Sequence, residues 1–138
     1  MSGYRYAHKF TSEFLSCNKN QEREDLIDFK KDDIFLGLDL SQHVVISKSE
    51  YFNMLRAFGV KTYFVIYDLL PLTESDCFPP EWRLSDLHSN WLKVVCQGNG
   101  ALCISNAVKN ELSQWIEKEE IKCKKSFCAT YFPLRCRY

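Results

Sequence analysis

Thr62-Tyr-Phe-Val-Ile-Tyr67 decides how this chain folds, because each of its six consecutive residues is β-branched or aromatic. Such side chains lose rotamer freedom in a helix and pack well on a pleated, covered surface, so the stretch reads as a buried β-strand. It gives way at Asp68-Leu-Leu-Pro71. Two shorter apolar runs flank it, Asp33-Ile-Phe-Leu-Gly-Leu-Asp39 upstream and Ala101-Leu-Cys-Ile104 downstream. Nearly continuous apolarity over so few residues is the mark of strands covered on both faces.

Helical patterns separate the three runs. Residues 41–46 read as a loop, after which Ser47-Lys-Ser-Glu50 has the form of a capping box. The helix it opens carries Tyr51, Phe52, Leu55 and Phe58 on one face, with Gly59 as its C-terminal stop. After Tyr67 a polar loop runs to Phe78-Pro-Pro80, and proline suits a helical first turn. Leu84, Leu87, Trp91, Val94 and Val95 then recur at helical spacing until Gly98 and Gly100 end the pattern. Past Ile104, Ser105 or Asn106 caps a helix whose face is Val108, Leu112, Trp115 and Ile116.

Strand, helix, strand, helix, strand, helix at these lengths predicts an α/β fold. The expected architecture is a Rossmann-like parallel sheet joined by right-handed crossovers, with helices on both faces. Residues 1–31 are polar and weakly patterned, with a short aromatic helix predicted near residues 10–15 and a charged surface stretch over 18–31. Residues 121–138 hold five basic residues, no acidic ones and three cysteines. One more strand fits residues 126–134, and the stretch reads either as a basic surface extension or as sequence not native to the fold.

A chain of 138 residues suits one domain. At 46% hydrophobic and 14% aromatic it has the material for a core. A formal net charge of zero argues against nucleic acid or an anionic membrane as partner. No apolar run approaches the ~18–20 residues of a membrane helix, and the N-terminus has no hydrophobic signal stretch, which points to the cytosol. Seven cysteines form an odd set without framework spacing, so they read as free thiols in a reducing compartment. Cys96 and Cys103 lie in apolar runs and are expected in the core, whereas Cys123, Cys128 and Cys136 lack the close pairs that zinc requires, so no metal is expected.

Ligands of open parallel sheets bind beyond the carboxyl ends of the strands. Asp39, Asp68 and Ser105 fall there, and His43 lies in the loop after the first strand. They either line a cleft or tie off backbone groups as turn and cap residues; a serine before a helix is what a cap looks like. His88, beside Leu87, reads as a surface or boundary residue. No serine or cysteine completes a nucleophile–base pair with these histidines. Neither GxGxxG nor a P-loop is present, and the chain has five glycines, so no phosphate-cradling turn is legible.

The ordered set Val65-Ile-Tyr-Asp68-Leu-Leu-Pro71-Leu, Phe78-Pro, Trp91-Leu, Cys103-Ile-Ser105-Asn-Ala-Val108 and Glu111-Leu resembles the GT-B family 4 glycosyltransferases. The likeness is to mannosyltransferases that build the O-antigen of bacterial lipopolysaccharide. Gly3-Tyr-Arg-Tyr-Ala7 and Phe35-Leu-Gly-Leu-Asp39 fit the same domain. The resemblance implies that residues 1–120 are a partial, acceptor-side N-terminal domain, with 121–138 a basic tail, non-native or frameshifted. It implies metal-free, retaining transfer of mannose from GDP-mannose to a saccharide or lipid-linked saccharide, in the cytoplasm or at the inner membrane face. It places Asp68 and Ser105 on the cleft rim and Asp39 at an earlier strand end. The donor domain has no counterpart here, so the chain is expected to be inactive alone, or to work with a separately encoded donor domain. A non-catalytic α/β binding or interaction module is the competing expectation.

Overall fold

The computed structural model of the chain describes residues 28–132. The helix predicted near residues 10–15, the Gly3–Ala7 likeness and Cys136 lie outside the described residues. In chain order the elements are β1 (Ile34–Gly37), α1 (Gln42–Ser47), α2 (Ser49–Ala57), β2 (Lys61–Ile66), α3 (Leu70–Thr73), α4 (Leu84–Cys96), β3 (Gly100–Cys103), α5 (Asn106–Lys118) and β4 (Cys128–Tyr131). Short 3-10 turns, Ser75–Cys77 and Pro80–Trp82, lead from α3 to α4.

The four strands form one sheet in the order β1-β2-β3-β4, and every pairing is parallel. The α/β class and the parallel sheet expected from the sequence are therefore present. Cys128–Tyr131, inside the basic stretch, pairs with β3 as the fourth strand. Three of its four residues are exposed, as is usual for an edge.

Paired residues in a parallel register share a face. One face carries Phe35, Phe64, Ile66, Ala101, Cys103 and Ala129. All belong to the core cluster or pack against it, together with Val45, Phe52 and Leu55 of α1 and α2, Trp91, Leu92 and Val95 of α4, and Val108 and Leu112 of α5. Phe35, Phe52 and Phe64 form an aromatic triangle with ring centroids 5.1, 5.5 and 5.8 Å apart. Each fully buried side chain of this size stabilises the fold by about 1.5–3 kcal/mol. The opposite face carries Ile34, Leu36, Tyr63, Val65 and Leu102, and none of these joins the core cluster. Among the described residues the helices thus gather on one face. The physical reason is the strand order: a right-handed crossover that always steps to the next strand in the same direction lays every helix on the same side.

Glycines let aromatic rings lie flat along this sheet. At Gly37 a Cβ would stand 2.5 Å from the Phe64 ring, and at Gly100 it would meet the Cys128 carbonyl oxygen at 2.5 Å and the Tyr63 ring at 3.1 Å.

The helix ends differ from expectation at one point and agree at another. Residues 42–46, predicted as loop, belong to α1. The capping box does not form: α2 starts at Ser49 after Lys48 without a side-chain cap, and the Ser47 hydroxyl donates to the Val44 carbonyl at 2.9 Å. Gly59 does terminate α2, at φ +89°. Its N–H donates to the Arg56 carbonyl at 3.1 Å, and Val60 N–H to that of Leu55 at 3.0 Å, the paired bonds of a Schellman motif. The same pattern closes α5 through Ile121 and Glu120, with Glu120 held left-handed at φ +51°.

Candidate functional site

The carboxyl ends of β1, β2 and β3 bring Asp39, Asp68 and Ser105 into one row, since those strands are neighbours in that order. Adjacent strands lie ~4.8 Å apart, so the row is continuous along the sheet edge. Tyr67 fastens it: its phenol donates to the Leu38 carbonyl at 2.7 Å and ties the ends of β1 and β2.

Each predicted residue also has a local task. The Ser41 hydroxyl donates to Asp39 Oδ2 at 2.5 Å in the turn before α1. Asp68 Oδ1 accepts from the Leu70 N–H at 3.1 Å, an Asx turn that starts α3. Ser105 Oγ accepts from the Val108 N–H at 3.2 Å and is the N-cap of α5. Asp39 is exposed, while Asp68 and Ser105 are half-buried. His43 is exposed on α1 rather than in a loop, and the residue beside it, Gln42, is the one that points inward.

Gln42 leads to a group that sequence reasoning misplaced. His88 of α4 is 2% exposed, not a surface or boundary residue. The Gln42 side-chain amide and His88 Nδ1 are hydrogen-bonded at 2.6 Å. The His88 ring stands edge-on to Trp91, centroids 5.1 Å apart. Burial pushes the His88 pKa down, and the Asp68 carboxylate and backbone partly oppose that. The Asp68 backbone approaches the ring without closing a well-formed bond at Nε2. The buried imidazole therefore lies between Gln42 at the start of α1 and the Asp68 turn. The periodicity held a signal for it: Leu84, His88, Trp91 and Val95 are spaced four, three and four apart, which is one helical face.

At the β3 end, Lys109 Nζ lies 6.0 Å from the centroid of the Tyr131 ring on β4. The Cys103 thiol is pushed up to about 11 by burial, with Lys109 opposing, so it is a protonated core thiol and not a nucleophile. Among the described residues no three His, Cys, Asp or Glu side chains gather as metal ligands would. No helix among them is long and apolar enough to cross a membrane. The arrangement offers hydrogen-bond acceptors along a sheet edge backed by a buried polar contact, which suits a hydroxyl-rich ligand better than a phosphate.

No protein-family model matches the chain, and no solved structure matches it. Curated proteins do. The chain is 27%, 27% and 29% identical over 117 residues to three sequences described as serotype-specific mannosyltransferase WbdA of Escherichia coli. Each match covers 82% of this chain and 14%, 13% and 14% of the respective relative. The chain therefore spans about a seventh of the length of the curated relatives it matches. The mannosyltransferase likeness expected from the ordered motifs is thus found, at the scale of one segment of a glycosyltransferase.

Proposed function

We propose that this chain is the acceptor-side part of a GT-B glycosyltransferase, one that moves mannose from GDP-mannose to a growing polysaccharide with retained anomeric configuration. The observation that carries this reading is the row Asp39, Asp68 and Ser105 along the carboxyl edge of a parallel sheet, in a chain similar to mannosyltransferases over most of its length. Among the described residues nothing bonds Asp39 Oδ1 or Asp68 Oδ2, so each carboxylate keeps an oxygen for a sugar hydroxyl. Exposed His43 stands beside that row as a further donor.

In this reading residues 1–120 form the partial lobe and 121–138 its basic extension, of which β4 is the part that joins the sheet. The nucleotide sugar sits on a donor domain outside this segment, since among the described residues no glycine-rich turn opens a helix. The lobe alone transfers nothing. It works in the cytoplasm at the inner membrane face, where a lipid-linked saccharide would be presented.

An amide NMR titration tests the proposal. A mannose oligosaccharide should shift residues 39–42, 67–70 and 104–106, and GDP-mannose should shift none. Adding a donor domain from a mannosyltransferase relative should then restore transfer of labelled mannose. Tight GDP-mannose binding by the chain alone, or an oligosaccharide that leaves that edge untouched, would overturn it. The second outcome is the one a non-catalytic interaction module gives; that reading draws on the turn and cap bonds that already occupy one oxygen each of Asp39, Asp68 and Ser105.

A further inference from the structure

At the amino end of the strands, opposite the polar row, the chain between α5 and β4 is sewn to the C-terminal end of α4. The Lys124 N–H donates to the Cys96 carbonyl at 3.1 Å, and the Gln97 side chain donates from Nε2 to the Lys122 carbonyl at 2.9 Å. Those two bonds bracket Cys123 and hold it over the last residue of α4. The Cys123 side chain lies close enough to that of Cys96 to act on its ionisation. Cys96 is fully buried and Cys123 half-buried, and both are free thiols.

We propose that Cys96 and Cys123 are a built-in disulfide site, closed by exchange with a small-molecule disulfide such as oxidised glutathione. A backbone hydrogen bond between residue 96 and the neighbour of residue 123 keeps the two Cα atoms near the ~4.4–6.8 Å that a disulfide needs. The reaction balances in two steps. The Cys123 thiolate attacks one sulfur of the external disulfide, forms a mixed disulfide and releases one thiol. The Cys96 sulfur then attacks the Cys123 sulfur of the mixed disulfide and forms the Cys96–Cys123 bond, its proton passing to the second thiol as that thiol leaves. Two protons and two electrons leave the cysteines, and the external disulfide is reduced to two thiols.

The order of attack follows from the surroundings. Cys123 reaches solvent, whereas burial, and then the neighbouring Cys123, push the Cys96 thiol far up, so Cys96 is protected until a mixed disulfide stands beside it. The closed bond would fasten β3, α5 and the lead into β4 in one loop. It joins residues far apart in sequence, and closing such a loop restricts the unfolded chain.

The test equilibrates the whole chain in glutathione buffers of rising oxidised fraction, alkylates remaining thiols and maps crosslinks by mass spectrometry with fragmentation. The Cys96–Cys123 link should dominate under native conditions, give way to mixed pairings in urea, and raise the thermal midpoint by roughly 10 °C. Cys123→Ser should fold with the midpoint of the reduced chain and lose both the link and the rise; Cys77→Ser, at an exposed site, should lose neither. The proposal falls if native Cys96 stays a free thiol at high oxidised glutathione, if other pairs dominate the native map, or if Cys123→Ser retains the rise.

Discussion

The two faces of the sheet are made of the same kinds of residue and have opposite fates. On one, Phe64, Ile66, Ala101 and Cys103 are all at or below 1% exposure beneath the helices. On the other, Ile34 is 66% and Leu36 43% exposed, Tyr63 and Leu102 are half-buried, and closure is confined to the middle strands, at Val65 (6%) and Gly100. Both faces read as apolar in the sequence. The difference lies in the crossovers, which deliver every described helix to one side. Apolarity of a strand therefore reports that a face is suited to burial, and topology decides whether this part of the chain buries it.

The strongest way to break the comparison is through the helix that anchors the packed face. Trp91→Ala removes a side chain that is 0% exposed and should cost about 3–5 kcal/mol, read as a fall in the denaturation midpoint. A loss under about 1 kcal/mol would mean that this face is not the core. A gentler probe is pH. The His88 pKa is lowered on folding, so the unfolded chain takes up a proton first as pH falls below the ordinary histidine value of about 6.5. Stability from this group is present above that pH and is lost as pH falls through the unfolded and then the folded pKa. The thermal midpoint should decline from pH 7.5 to 5.5, and His88→Gln should flatten the decline; an equal slope in the variant would remove His88 as its source. The smallest effect belongs to the open face. Leu36→Thr keeps a strand-forming residue and should change stability by no more than about 0.5 kcal/mol, by urea titration. A loss above about 2 kcal/mol would show that Leu36 is covered in the folded chain.

How much of this was legible depended on whether the deciding interaction was local. β2 could be read from six residues because each favours a strand by itself. The end of α2 could be read because glycine takes up the left-handed turn at φ +89° without strain. α1 could not: Val44, Val45 and Ile46 are poor helix formers and no side chain caps it, so its helix rests on Gln42 and Val45 being buried. The apparent cap at Ser47 was lost because Ser47 is the last residue of α1, where its hydroxyl donates back to the Val44 carbonyl. At the candidate site, the turn roles of Asp68 and Ser105 followed from residues two and three positions away. The contact between Gln42 and His88 spans 46 residues, and no local pattern encodes it.

Gly100 fixes how wide this sheet can be. Its missing side chain leaves the space in which the Cys128 carbonyl sits, 2.5 Å from where a Cβ would stand. The backbone of the fourth strand occupies the room that any other amino acid would claim. A mutational scan at position 100 would therefore act as a switch on strand number, since even one added methyl group prises the outer ribbon from its neighbour and leaves three strands with a newly bared margin.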